Sequence, residues 1–545
     1  MTLQEIIFNI HALNEGINKN RIKRKRLFFP IIIFCMLVFW GCSSQKDSTD
    51  VPLKDNDVNP NQVRLDTYWK PSTPEEQGID SEILSNMMDK IKKENIQVRS
   101  IIIVRNQRLV LEFYRCPYNR DITFNTKSAS KSILSALTGI ALREKWIDNL
   151  DRTVESYFPQ YFTAQADPLK KKINLRHILT MTSGLKIEAQ SPEENKIFAG
   201  ADPAQTTFEF PMATKPGEKF NYLTALAYVM TAILTKTSGK SLEEISSTYL
   251  FEPLGIKNAF WKAIDKRLIF SDTHMRPLDM AKFGMLFLQE GKWEGKQILP
   301  GKWVTESTAV HVEKTDQPEG SYGYMWWIDP AKNIFKALGW GGQGIYVLPG
   351  KNTVIVTTSS DYFASHRLVY DYIIPAVKSD VPLAPNPGKA ELLTKTICQL
   401  ASSTGEGLQP VPQHPESAKK INGITFNLEP NAADWVSMTF HFADRSCQLT
   451  LGTDQGTYRL DIGLDNVYRF SDTGRYGERP DHNKVALRGK WKTNDTFFLD
   501  FLQLGKPEHA WIDLQFKENE VLLKVELAGT GGYYIPMKGK ASLTK

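Results

Sequence analysis

Asn125-Thr126-Lys127-Ser128-Ala129-Ser130-Lys131-Ser132-Ile133-Leu134 is the stretch that decides how this chain reads. Ile133, Leu134, Leu137, Ile140 and Ala141 recur at helical spacing, so the segment predicts a helix opening at Ser128. A serine three residues before a lysine at a helix start puts both side chains on one face, about one turn apart. The lysine ammonium can then ease formation of a serine alkoxide, or its neutral amine can take the proton. The second role needs desolvation or a neighbouring cation, because a free lysine amine titrates far above neutrality. Backbone N–H groups at the helix start add stabilisation where negative charge develops. The spacing alone selects nothing, since Ser43/Lys46, Ser183/Lys186 and Ser417/Lys420 repeat it. Only Ser128 opens a long amphipathic helix, and on this segment alone the simpler reading is a helix N-cap.

Two further segments change that balance. Pro216-Gly217-Glu218-Lys219-Phe220-Asn221-Tyr222-Leu223-Thr224 brings a tyrosine just before a helical run, Thr224–Lys236. Gly339-Trp340-Gly341-Gly342-Gln343-Gly344 is a glycine-rich turn ahead of the strand Ile345–Leu348. The turn happens to satisfy Gly-x-Gly-x-x-Gly, but a dinucleotide site needs a helix after it and here a strand follows. Around these segments, Ser100–Val104 and Leu109–Tyr114 read as one hairpin, and Ile345–Leu348 with Thr353–Thr358 as a second. Helical patterns, among them Met280–Gln289, fill the space between. Strands at both ends with helices between them predict an α+β domain: an antiparallel sheet assembled from the two ends, flanked by helices, with a helical insertion.

With these segments in order, the chain resembles the serine β-lactamase and penicillin-binding protein superfamily. The resemblance is closest to the branch of class C β-lactamases, bacterial esterases of this fold and 6-aminohexanoate-dimer hydrolases. It covers about Thr73–Ser359 and includes Leu175–Leu185, Phe251–Ile256 and Asp279–Gly284. It implies a β-lactamase/transpeptidase-like fold, with Ser128 as the acylating nucleophile, Lys131 as the motif lysine and Tyr222 as the general base. The backbone N–H groups of Ser128 and Gln343 would form the oxyanion hole, and no cofactor is implied. Two positions depart from the family pattern. Thr224 stands where asparagine is usual, and Trp340-Gly341-Gly342 stands where the third motif often opens with lysine or histidine. These four residues are assigned to the substrate pocket. Tryptophan cannot pair with a carboxylate, so an uncharged ester or amide is the expected substrate. A β-lactamase or D-amino-acid peptidase is the alternative, and a non-catalytic envelope protein binding a peptidoglycan-like ligand is another. His177, inside an apolar run, reads as a hydrogen-bonded structural histidine. Tyr322, Tyr324, Trp326 and Trp327 read as core or pocket wall.

At 545 residues the chain exceeds what one core supports. Its net charge of +6 is concentrated between Lys19 and Arg26, where six basic residues lie, and the chain after residue 41 is left near +2. That balance gives no case for nucleic-acid binding. The basic cluster runs into the apolar Leu27–Trp40, shorter than the roughly 20 residues a spanning helix needs. It reads as an export signal, 1–42. Gly41-Cys42 resembles a lipobox, which implies lipidation of Cys42 and a membrane-anchored protein of the cell envelope; a signal anchor or an ordinary secretory signal is the alternative. A polar tether, 43–62, precedes the hydrolase domain, 63–381. Three cysteines beyond the signal, Cys116, Cys398 and Cys447, allow at most one disulfide, and no metal motif occurs. Pro382–Gly388 opens a linker, 382–414, with a possible helix at Ala390–Ser402. From 415 to 545 short alternating strands predict an antiparallel β-barrel or sandwich. Leu464–Arg469 and Leu487–Trp491 resemble the lipocalin-like barrels appended to some of these hydrolases. Two roles are open for it: a lid over the active site, or a stabilising or partner-binding module.

Overall fold

The β-rich runs from the two ends of the first domain lie side by side in one sheet. The structure, a computed structural model, describes residues 68–541 apart from 164, 190, 262–271, 403–410, 412, 432, 474–483 and 528–533. The export signal, Cys42, the tether and the expected domain start at Val63 lie outside the described residues. The strands are β1 (Lys70–Pro71), β2 (Val98–Arg105), β3 (Arg108–Tyr114), β4 (Ser321–Tyr322), β5 (Trp327–Asp329), β6 (Ile334–Gly339), β7 (Gln343–Leu348) and β8 (Thr353–Ser359), ordered β1-β3-β2-β8-β7-β6-β5-β4. β2 and β8 meet in the middle, antiparallel, with Ile103 opposite Ile355. Both are buried at every position, as β-branched strands covered on two faces should be.

The helices that matter here are α1 (Ser81–Lys93), α2 (Ser130–Arg143), α3 (Ala225–Ser238), α4 (Pro277–Leu288), α5 (Tyr362–Leu368) and α6 (Pro387–Ala401). Helices α2, α3 and α4 belong to the insertion between β3 and β4. Successive residues of β7 show the two layers. Ile345 meets Gly284 of α4, and a β-carbon on that glycine would fall 2.9 Å from the Ile345 methyl. Tyr346 points the other way, to His366 of α5. Helix α6 begins three residues before the expected Ala390, because Pro387 suits a first turn and Asn386 Oδ1 accepts from Lys389 N at 3.4 Å. It packs on α1, with Lys389–Glu82 at 2.8 Å and Lys92 Nζ to Gln399 at 2.7 Å.

The second domain is a closed barrel. Its strands are β9 (Thr425–Leu428), β10 (Trp435–Phe442), β11 (Ser446–Thr453), β12 (Gly456–Gly463), β13 (Arg469–Asp472), β14 (Lys484–Trp491), β15 (Thr496–Gln503), β16 (His509–Lys517), β17 (Glu520–Leu527) and β18 (Tyr534–Ala541). Nine of them form the ring β12-β11-β10-β9-β18-β17-β16-β15-β14, closed where Gly463 of β12 pairs in parallel with Arg488 of β14; β13 lies outside it, antiparallel to β14. Alternate residues fill the interior, including Phe440, Leu449, Ile462, Leu487, Leu499 and Ile512. Cys116, Cys398 and Cys447 are free thiols.

Candidate active site

Ser128 sits in a tight turn rather than at the first residue of the α-helix. Phe124–Asn125 pairs with His274 and Met275, and Asn125 Oδ1 accepts from Lys127 N at 2.8 Å. Lys127 has φ +52°, a left-handed conformation uncommon for a side-chain-bearing residue. A single 3₁₀ turn, Lys127–Ala129, carries Ser128, and α2 starts at Ser130. Hydroxyls lock the turn in place. Thr126 Oγ1 lies 2.9 Å from Ser130 Oγ, and Ser130 Oγ accepts from Thr273 N at 2.8 Å. Ser128 is half-buried. One turn on, Lys131 is 2% exposed and its Nζ donates to Ser128 Oγ at 3.0 Å and to Thr224 Oγ1 at 3.2 Å. The same Nζ lies 5.0 Å from the centre of the Tyr222 ring. Ser128, Lys131, Tyr222 and Thr224 are therefore brought together. Thr224 presents a hydroxyl acceptor to the lysine at the position where the family pattern has an amide.

The loop before α3 is tied to the Leu175–Leu185 segment. Gly217 N donates to Thr182 O at 2.7 Å and Asn221 N to Met181 O at 2.8 Å. His177 is structural here. It forms a reciprocal cap with Asn174, and burial, then Arg176, lowers its pKa, so its ring is the neutral form that accepts from Asn174 N. The Tyr222 ring stacks on Trp327, centroids 5.3 Å apart, and meets Tyr322 edge-on at 6.0 Å. Burial, then the neighbouring Tyr222, pushes Tyr322 far above the ordinary phenol range. Of the four aromatics singled out in the sequence, these two wall the site. Trp326 packs into the core on Phe283 and Phe287, and Tyr324 stacks on Trp303 and His311.

The glycine-rich turn joins β6 to β7, two strands, so it is a hairpin and not a nucleotide fingerprint. Its approach to Ser128 comes through Gly339. A β-carbon there would lie 2.2 Å from Thr126 O and 3.2 Å from Ser128 N, so glycine alone permits the contact. Gln343 faces Gly339 from the next strand and is held by its side chain, Nε2 donating to Ser359 O at 2.6 Å and Trp340 O at 3.3 Å. The hairpin backbone brought against Ser128 is thus that of Gly339, with Gln343 opposite it on the next strand. Gly341 and Gly342 turn the chain with φ of +79° and +92°, and Trp340 is 39% exposed.

Sequence reasoning missed one contributor altogether. The barrel turn Leu504–Glu508 packs on the Ser128 turn: Glu508 Oε1 accepts from Lys127 Nζ at 3.0 Å, and Asn125 N donates to Gly505 O at 2.6 Å. Lys127 and Glu508 are 381 residues apart, beyond the reach of any local pattern. Among the described residues no group of three His, Cys, Asp or Glu is arranged to hold a metal ion.

The 6-aminohexanoate-dimer hydrolase of Paenarthrobacter ureafaciens is 23% identical over 316 residues, 53% of this chain and 80% of that protein. Among solved structures, EstCE1, a hydrolase with promiscuous acyltransferase activity, matches at 17% identity and TM-score 0.46, covering 55% of this chain and 99% of that one. An octameric penicillin-binding protein homologue from Pyrococcus abyssi matches at 16% identity and TM-score 0.42, covering 84% of this chain and 99% of that one. The Beta-lactamase family matches residues 84–377, a span that contains the Ser128 turn, the Tyr222 loop and the Gly339–Gly344 hairpin. That span is more than half of the 545 residues, and the chain belongs to the beta-lactamase family.

Proposed function

We propose that this protein hydrolyses an ester or amide through an acyl-enzyme on Ser128. The observation that carries the reading is Lys131 Nζ, buried and donating to Ser128 Oγ at 3.0 Å and Thr224 Oγ1 at 3.2 Å, with the Tyr222 ring beside it. Ser128 Oγ attacks the substrate carbonyl while its proton passes into the Lys131–Tyr222 pair. The carbonyl oxygen becomes an oxyanion, for which the Ser128 and Gln343 amides are the proposed donors. Collapse expels the alcohol or amine, which takes the proton back. Water then attacks the acyl-enzyme with the same pair as base and releases the acid.

Trp340 favours a substrate without an essential carboxylate, because an indole donates one N–H and carries no charge. The similarity to the 6-aminohexanoate-dimer hydrolase of Paenarthrobacter ureafaciens supports a hydrolase reading. A fluorophosphonate probe should label the protein, and mass spectrometry should find the adduct on Ser128. p-Nitrophenyl esters should turn over faster than a chromogenic cephalosporin, and Ser128→Ala should abolish both labelling and turnover. Absence of labelling, or turnover that survives Ser128→Ala, sinks the proposal. We also propose export with lipidation at Cys42; radiolabelled fatty acid that fails to incorporate, or incorporates equally into Cys42→Ser, contradicts it.

A further inference from the structure

The turn Leu504–Glu508 is fixed against the hydrolase domain from three sides. The Arg99 guanidinium donates to Lys506 O and, at 2.8 Å, to Pro507 O. Pro507 abuts the glycine-rich hairpin, so that a β-carbon on Gly341 would fall 2.7 Å from the Pro507 β-carbon. Glu508 and Lys127, side chains 3% and 8% exposed, form an ion pair at 3.0 Å. Burial opposes the Glu508 charge, yet Lys127, helped by Lys506, holds its carboxyl below the usual range. A second carboxylate, Asp272, stands 4.0 Å from Lys127 and is 23% exposed. The Lys127 ammonium lies 5.8 Å from the centre of the Trp340 ring.

An ammonium on the residue before the nucleophile, one indole ring from the pocket, is well placed to attract a substrate carboxylate. The third motif supplies no such cation, since Trp340 occupies its opening. Here the attraction is already met from within the chain: Glu508 brings a carboxylate from the barrel onto Lys127. We propose that Glu508 is a specificity-determining residue, an internal carboxylate that neutralises Lys127 and so makes the site select uncharged ester or amide substrates over those bearing a carboxylate. This gives the barrel a role in substrate choice, and it rests on the reading of Ser128 as nucleophile. Removing the Glu508 charge makes the cluster one unit more positive and leaves Lys127 faced by the partly exposed Asp272 at 4.0 Å, in a buried place where a charge's field reaches further than in water. Removing the Lys127 charge instead leaves net negative charge and has the opposite effect.

The test uses the full chain and two p-nitrophenyl esters, butyrate and hemiglutarate, which share a leaving group and differ in a terminal carboxylate. The quantity read is the ratio of kcat/KM for the anionic ester to that for the neutral one. In Glu508→Gln the ratio should rise by at least about tenfold at low ionic strength, and the rise should shrink in salt. In Lys127→Gln it should fall below the wild-type ratio, and that opposite shift carries the test if Glu508→Gln does not fold. A turn that merely props up the fold would lower both esters together, so an unchanged ratio in either folded variant overturns the inference. So does a wild type that prefers the anionic ester. Wild-type turnover no greater than that of Ser128→Ala overturns the hydrolase reading itself, a failure distinct from a ratio that does not move.

Discussion

Thr224→Val removes one hydroxyl and keeps the side-chain shape. In the structure that hydroxyl accepts from Lys131 Nζ at 3.2 Å, and Lys131, 2% exposed, has little water to turn to in its place. A hydrogen bond to a charged group contributes about 1.5–3 kcal/mol. If Lys131 must be held on Ser128 Oγ while the serine attacks, that energy is missing from the transition state, a loss of roughly 10- to 150-fold in kcat/KM at about 1.4 kcal/mol per decade. Thr224→Asn keeps an acceptor within reach and should recover most of the loss. The assay is steady-state hydrolysis of a neutral p-nitrophenyl ester, with urea unfolding of each variant run in parallel to separate catalysis from stability. A valine variant within about twofold of wild type would show that the hydroxyl contributes little beyond packing, and the same would follow if asparagine were no better than valine.

Three other outcomes are expected. Gly339→Ala forces a β-carbon to within 2.2 Å of Thr126 O, so the Ser128 turn must shift; a displacement near 1 Å should cut the rate of fluorophosphonate labelling about 100-fold, and near-normal labelling of a folded variant contradicts the close approach. Burial opposes the Asp500 charge, but His509, Arg488 and Tyr468 hold its carboxyl down to about 2. Because its folded pKa lies below the unfolded one, Asp500 contributes about 2 kcal/mol above roughly pH 4, lost as pH falls toward 2. Asp500→Asn should remove that slope from urea unfolding measured across this range, and an unchanged slope refutes the assignment. Arg99→Ala deletes the donors to Lys506 O and Pro507 O; at about 1.5–3 kcal/mol for a charge-assisted bond, the turn should become a site of limited proteolysis, whereas wild-type protease resistance argues that other contacts hold it.

Local pattern made some elements readable and not others. The runs at 100–104 and 353–358 are β-branched and doubly buried, and they stand as β2 and β8. Strand β6, Ile334–Gly339, escaped notice because Lys336 interrupts its apolar run. That lysine is 2% exposed; burial lowers its pKa to about 8, and its Nζ donates to Glu319 O at 2.9 Å. Missing β6 also hid the approach of Gly339, which reads as the start of a turn until its strand is seen against Ser128. Ser128, Lys131 and Tyr222 were legible because each lies at a recognisable junction of loop and helix. Glu508 was not, because its significance depends on Lys127, which meets it only through the packing of two domains.

A ring with an odd number of members cannot alternate direction all the way round; somewhere two neighbours must run the same way. In this barrel the mismatch falls between β12 and β14, at Gly463 and Arg488. That line is a seam, with far less ladder to hold it than the eight-residue pairing of β11 with β12. Arg488 closes the seam on one side and on the other reaches Asp500 at 3.0 Å, which in turn meets His509 at 2.6 Å. His509 directly follows Glu508. Any parting of the ring would therefore begin one strand away from the turn that packs on Asn125 and Lys127, and the Arg488–Asp500–His509 cluster bridges the seam to that turn.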